Sequence, residues 1–174
     1  MGPIPNSLLF LRRNQDFSRV ALHSDYFNPE DKFHPNPGLK SPPSTRPLSA
    51  LSLVTSLRYQ GMKKVIKRLQ ASLSAVRIAA KYLKNSADME LCHQPQTSIL
   101  CFRTTPPHVP KDQWNNLQQY IYDRILEEGK RTISITKLDE KIVLRLVAVS
   151  SSVTGQSLIE TISYVRSLAK QHAL

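Results

Sequence analysis

Six prolines fall at Pro29, Pro35, Pro37, Pro42, Pro43 and Pro47, with Gly38 among them. Proline lacks a backbone N–H and fixes φ, so neither a helix nor a central strand runs through residues 28–47. The segment therefore splits the 174-residue chain into a short leading piece and a longer piece that must hold the core. A structureless stretch of this length in a compact chain is either a functional loop or a linker.

Before the prolines, residues 7–11 (Ser-Leu-Leu-Phe-Leu) form an apolar run followed by Arg12, Arg13 and Asn14. This pattern predicts a buried strand ending in a turn, and a strand this short needs neighbours. After the prolines, residues 48–59 resume a helical pattern. Ser44 or Thr45 is placed to cap that helix, with Pro47 in its first turn and a break at Gln60-Gly61. Met62, Val65, Ile66, Leu69, Leu73, Val76, Ala80 and Leu83 then recur at three- and four-residue steps, which predicts a long amphipathic helix. Short strands follow over residues 89–92 and 98–104. A helix over about residues 112–128 carries Trp114, Leu117, Ile121 and Ile125 and stops at Gly129. Paired strands over residues 132–138 and 142–149 turn at Asp139 and Glu140. A last helix covers residues 155–171. The order helix, two strands, helix, two strands, helix predicts an α+β unit: a small antiparallel sheet with helices on one face.

The net charge is +11. Such an excess attracts nucleic acid or anionic surfaces. Much of it sits on the long helix, at Lys63, Lys64, Lys67, Arg68, Arg77, Lys81 and Lys84, as a solvated face should. Aromatic residues do not interleave with these positions, so a base-stacking platform is not indicated and nucleic-acid binding is not the expectation. Cys92 and Cys101 make no disulfide framework and are expected as free thiols, which fits a reducing, cytoplasmic address. Zinc-type ligand spacing is absent, so no metal is expected. No apolar run reaches the ~20 residues of a membrane span, and no signal peptide is read.

Neither a glycine-rich phosphate loop nor a Gly-x-Ser-x-Gly elbow is present. Two arginines stand out. Arg46 follows the prolines and opens a helix; its donor fork suits carboxylate or phosphate. Arg145 interrupts the apolar strand Ile142-Val143-Leu144-Arg145-Leu146-Val147, on the face of Val143 and Val147. A charge there either points to solvent, is paired structurally, or contacts a ligand, because unpaired burial is costly.

The run His23-Ser24-Asp25-Tyr26-Phe27-Asn28-Pro29, then Ser44-Thr45-Arg46, Ala50-Leu51, Ser56-Leu57-Arg58 and Gly61, resembles the group II pyridoxal-phosphate-dependent decarboxylases. These act on glutamate, aromatic amino acids and 2,4-diaminobutyrate, and Asp25 to Pro29 look most like the diaminobutyrate type. Ile99-Leu100-Cys101-Phe102-Arg103 and Leu144-Arg145-Leu146 are similar to two strands of the same family. The resemblance runs over essentially the whole chain.

It implies the C-terminal part of a type I pyridoxal-phosphate fold. Residues 1–47 would be a large-domain remnant strand and a long catalytic-type loop. Residues 48–84 would be connecting helices, and residues 85–174 a small C-terminal α+β domain. The chain would start just after the lysine that holds pyridoxal 5'-phosphate, leaving no anchoring lysine and an inactive chain on its own. The resemblance also implies an amino-acid substrate and a homodimer for the complete enzyme. Arg145 matches a last-strand arginine that holds substrate carboxylate, and Arg46 the arginine after the mobile loop. His34 stands nearest to where other members carry a loop tyrosine acid. The alternatives are a non-catalytic module that docks on a homologue, and a basic nucleic-acid-binding protein.

Overall fold

The computed structural model describes residues 9–20 and 48–172. The chain divides into two compact units, Gly2–Gly61 and Met62–Leu174. In the first, a 3-10 helix spans Asn14–Val20 and helix α1 spans Ser49–Gln60. Residues 9–11 are irregular, with Leu9 and Phe10 exposed, so the strand expected over residues 7–11 is not formed in its described part. A strand needs a neighbouring backbone to take its N–H and C=O groups, and no strand of this unit is present among the described residues. Ser44 and Thr45, the expected caps, lie outside the described residues. The N-cap position of α1 is Leu48, which makes no side-chain cap hydrogen bond. Gly61 ends α1 with a φ of 76°, and its N–H donates to the Leu57 carbonyl at 2.9 Å.

The second unit holds α2 (Met62–Lys84), β1 (Met89–Leu91), β2 (Ile99–Thr104), α3 (Trp114–Glu128), β3 (Ser134–Leu138), β4 (Lys141–Val147) and α4 (Gly155–Gln171). The strands form one antiparallel sheet in the order β1-β2-β4-β3. Two hairpins, β1–β2 and β3–β4, are joined through α3, and β4 returns beside β2.

The core lies between this sheet and α2, α3 and α4. Leu100, Phe102, Leu144 and Leu146 supply the sheet side. Ala75, Val76, Ala79, Ala80 and Leu83 come from α2, Leu117, Ile121 and Ile125 from α3, and Leu158, Ile162, Val165 and Leu168 from α4. Alanines on α2 let α4 approach closely, and Gly155 sits directly against Ile78. The buried residues of α2 all lie from Ser72 onward, so its first three turns add nothing to this core. Thr154 caps α4 with a capping box. Its Oγ1 accepts from the Ser157 N–H, and the Ser157 hydroxyl accepts from the Thr154 N–H, each at 3.1 Å. The α+β arrangement with helices on one sheet face is the architecture that the residue pattern predicts.

Candidate functional site

Register brings one row of side chains together across all four strands. Arg145 on β4 lies opposite Cys101 on β2 and opposite Ser134 on β3. Continuing the β1–β2 register by one residue places Cys92 opposite Cys101, and the Cys92 N–H donates to the Cys101 carbonyl at 3.0 Å. Directly opposed residues share a face. Leu144 and Leu146 face the helices, so the row Cys92, Cys101, Arg145, Ser134 occupies the other face.

Arg145 is the charged member of that row. It is half-buried, and among the described residues it makes no ion pair. Its backbone is held, because the Ser134 hydroxyl donates to the Arg145 carbonyl at 3.1 Å. Burial pushes the Cys101 thiol up from its ordinary value, while the Arg145 charge pulls it back. A guanidinium on a rigid strand presents a fork of N–H donors that a small carboxylate can accept.

Two other arginines are occupied. Arg103 is only 4 % exposed. It donates to Asn115 Oδ1 at 2.9 Å and lies 5.6 Å from the Trp114 ring. β2 and β4 pair only as far as Phe102 and Leu144; beyond that point Asn115 Oδ1 accepts from the Ile142 N–H at 3.0 Å. Arg166 on α4 donates to Asp88 at 2.7 Å and to the Tyr82 hydroxyl at 2.9 Å. It borders a largely apolar cavity of about 480 Å³ with Met89, Pro106, Pro107 and His108. Sequence reading singled out Arg145 and missed the structural roles of Arg103 and Arg166. For Arg103 the available signal was the same as for Arg145, a charge closing an apolar strand.

Arg46 and His34, the other expected site residues, lie outside the described residues. Lys63, Lys64, Lys67, Lys81, Lys84, Lys111, Lys130, Lys137, Lys141 and Lys170 are all exposed. A lysine that holds a cofactor needs an enclosed, desolvated position. The described residues therefore do not fit a pyridoxal-phosphate anchor. Among the described residues no cluster of three metal-ligating side chains occurs, and no helix is long and apolar enough to cross a membrane.

No family model matches the chain. Individual relatives do. An L-2,4-diaminobutyrate decarboxylase of Acinetobacter baumannii is 24% identical over 92% of this chain and 32% of its own length. One of Rhizobium meliloti (strain 1021) is 30% identical over 63% of this chain and 23% of its own. Over the part of their length that it spans, the chain is similar to group II pyridoxal-phosphate-dependent decarboxylases. An aromatic-L-amino-acid decarboxylase of Bacillus atrophaeus matches at 22% identity over 73% of this chain and 27% of its own. The fold agrees. Catharanthus roseus tryptophan decarboxylase in complex with L-tryptophan superposes with a TM-score of 0.65 at 18% identity, over 79% of this chain and 28% of that one. The glutamate decarboxylase domain of a Vibrio parahaemolyticus protein superposes with a TM-score of 0.63 at 20% identity, over 74% of this chain and 27% of that one. The chain thus spans between 23% and 32% of the length of these relatives.

Proposed function

We propose that this chain supplies the substrate-carboxylate arginine, Arg145, to an amino-acid decarboxylase. The observation behind the reading is the half-buried Arg145 guanidinium, fixed on β4 and lacking an ion pair among the described residues. The relatives' names make an amino acid the substrate class, with 2,4-diaminobutyrate and aromatic amino acids as the named examples. In this reading pyridoxal 5'-phosphate is the cofactor of the complete enzyme. The closing loop of this reading is assigned to residues 26–45 with His34 as its acid, and Arg46 is assigned as a second anion contact; all of these lie outside the described residues. The division into residues 1–47, 48–84 and 85–174 follows from the same scheme, as does a homodimer. Two free thiols favour a cytoplasmic address.

The test is carboxylate-specific binding to the full chain. Nuclear magnetic resonance titration with L-2,4-diaminobutyrate should move signals of Arg145, Ser134 and Cys101. The decarboxylated amine, 1,3-diaminopropane, should leave them unmoved, and Arg145→Gln should abolish the response. Equal responses to acid and amine would sink the assignment. Borohydride reduction in the presence of pyridoxal phosphate should give no stoichiometric adduct at a described lysine.

A docking role is favoured by a separate observation. Met62, Ile66 and Leu69 are exposed along one stripe of α2. The partner in that reading is a second decarboxylase subunit. Light scattering behind size-exclusion chromatography should then report a dimer, and a monomer that unfolds cooperatively counts against it.

A further inference from the structure

The cross-strand pair Cys92 and Cys101 flanks Arg145 in the same row, and its geometry has a separate chemical consequence. The partners along β1 and β2 run Met89↔Thr104, Glu90↔Arg103 and Leu91↔Phe102, so the next pair is Cys92↔Cys101. The hydrogen bond from Cys92 N–H to Cys101 carbonyl fixes this as a hydrogen-bonded pair. Such pairs hold their Cα atoms about 5.5 Å apart, inside the window that a disulfide spans. The return hydrogen bond is replaced: the Cys101 N–H donates to His93 Nε2 at 3.2 Å. His93 thus closes the hairpin behind the two thiols and keeps them opposed. Both cysteines are free thiols. Cys92 is half-buried and Cys101 is 5% exposed. Among the described residues the Cys92 thiol donates to the Glu90 carbonyl at 3.7 Å, a contact weak enough to give up.

We propose that Cys92 and Cys101 form a reversible disulfide across the β1–β2 hairpin, with Cys92 attacking first and Cys101 resolving. The co-oxidant is a low-molecular-weight disulfide such as oxidised glutathione. Cys92 loses its proton and its sulfur attacks one glutathione sulfur. The glutathione S–S bond breaks, and one glutathione leaves as a thiolate and takes up a proton. Cys101 then loses its proton and attacks the Cys92 sulfur, and the second glutathione leaves the same way. Two protein thiols lose two electrons and two protons, and one glutathione disulfide becomes two thiols. The order follows from exposure, because Cys92 presents more surface than Cys101.

The surroundings set the rate. Burial, with Glu90 next, pushes the Cys92 thiol up to about 12. The thiolate is the attacking species, so the reaction is slow at neutral pH and rises about tenfold per pH unit through the mildly alkaline range. This is a pair that responds to sustained oxidising conditions and stays reduced through brief ones. Once formed, the bond fixes the edge strand β1 to β2 beside Arg145, with Cys101 as the shared neighbour.

The experiment incubates the full chain with oxidised glutathione at pH 7, 8 and 9. Thiols are counted after denaturation and masses are read without reductant. The expected result is loss of both thiols in a monomer that carries no glutathione, together with a melting temperature raised by about 5–10 °C, as closure of a short loop implies. Cys101→Ser should stop at a glutathione adduct on Cys92, and Cys92→Ser should stay unmodified. Disulfide-linked dimers, a stable glutathione adduct on the unsubstituted chain, or retention of both thiols at pH 9 would each overturn the proposal. Adduct formation on Cys101 in Cys92→Ser would overturn the order of attack.

Discussion

Gln118 shows how one buried amide finishes a strand that runs out of partners. It is fully buried on α3. Its Oε1 accepts from the Thr104 N–H at 2.9 Å and from the Thr104 hydroxyl at 3.3 Å. Its Nε2 donates to the Thr104 carbonyl at 3.1 Å and to the Trp114 carbonyl at 2.8 Å. Both lone-pair directions and both N–H groups of the amide are therefore used. Thr104 lies past the last β2–β4 pair, where a sheet partner no longer serves its N–H. A leucine at this position keeps the volume and leaves two buried backbone groups without partners, at a cost of about 1–3 kcal/mol each before relaxation. Gln118→Leu should lower unfolding free energy by about 2–4 kcal/mol in urea denaturation, with the slope unchanged. A loss under about 0.5 kcal/mol would mean that water reaches Thr104 and that the strand end is not sealed.

The contact between α2 and α4 depends on a missing methyl group. A Cβ built on Gly155 would lie 2.7 Å from Ile78 Cγ2 and 2.8 Å from Ile78 Cβ. Alanine is the better helix former by up to about 1 kcal/mol, yet overpacking at such distances costs about 1–3 kcal/mol. Gly155→Ala should therefore destabilise, by about 1 kcal/mol net. The double variant with Ile78→Ala should lose less than the sum of the two single losses, and urea midpoints around the cycle measure that coupling. The β3–β4 turn has the opposite problem. Asp139 and Glu140 both carry positive φ, 46° and 64°, in the two-residue turn that favours glycine. Glu140→Gly should raise stability by about 0.5–1 kcal/mol in the same assay, because Asn115 bonds the backbone carbonyl at residue 140 and not the side chain. Elements of this second unit were legible because each has a clean period. The stripe from Met62 to Leu83 is the observed α2, and Asp139-Glu140 between two apolar runs is the observed hairpin. Residues 7–11 read as a strand because apolar runs do, but periodicity says nothing about whether a partner strand stands alongside. The site was half legible. Arg145 and Arg103 present the same signal, a guanidinium in an apolar strand. Only the fold shows that Asn115 and Trp114 occupy Arg103, while no described carboxylate occupies Arg145.

Across the whole molecule the dominant long-range force is its own positive charge. Residues 32–87 contain no aspartate or glutamate, and α2 carries Lys63, Lys64, Lys67, Arg68, Arg77, Lys81 and Lys84 with no acidic residue. Lys63 and Lys64 sit at the start of the helix, where the macrodipole is positive, and Lys81 and Lys84 sit at its end, where it is negative. The first pair therefore opposes the helix and the second pair supports it. Among the described residues the ion pairs that oppose this repulsion are mostly exposed, such as Arg124 with Glu127 and Lys141 with Glu90, and exposed pairs contribute little. Sodium chloride screens both terms. Repulsion between like charges spread along a helix is the larger of the two, so stability should rise between about 10 mM and 200 mM salt and then level off as the screening length falls below about 10 Å. The check is the urea midpoint across that series, with chloride rather than sulfate so that preferential exclusion does not mimic screening. Lys63→Glu with Lys64→Glu should raise the low-salt midpoint, by about 0.5 kcal/mol per charge reversed, and flatten the salt dependence. A midpoint that falls with salt would put the net weight on the ion pairs instead, and the double reversal would then leave the slope as it was.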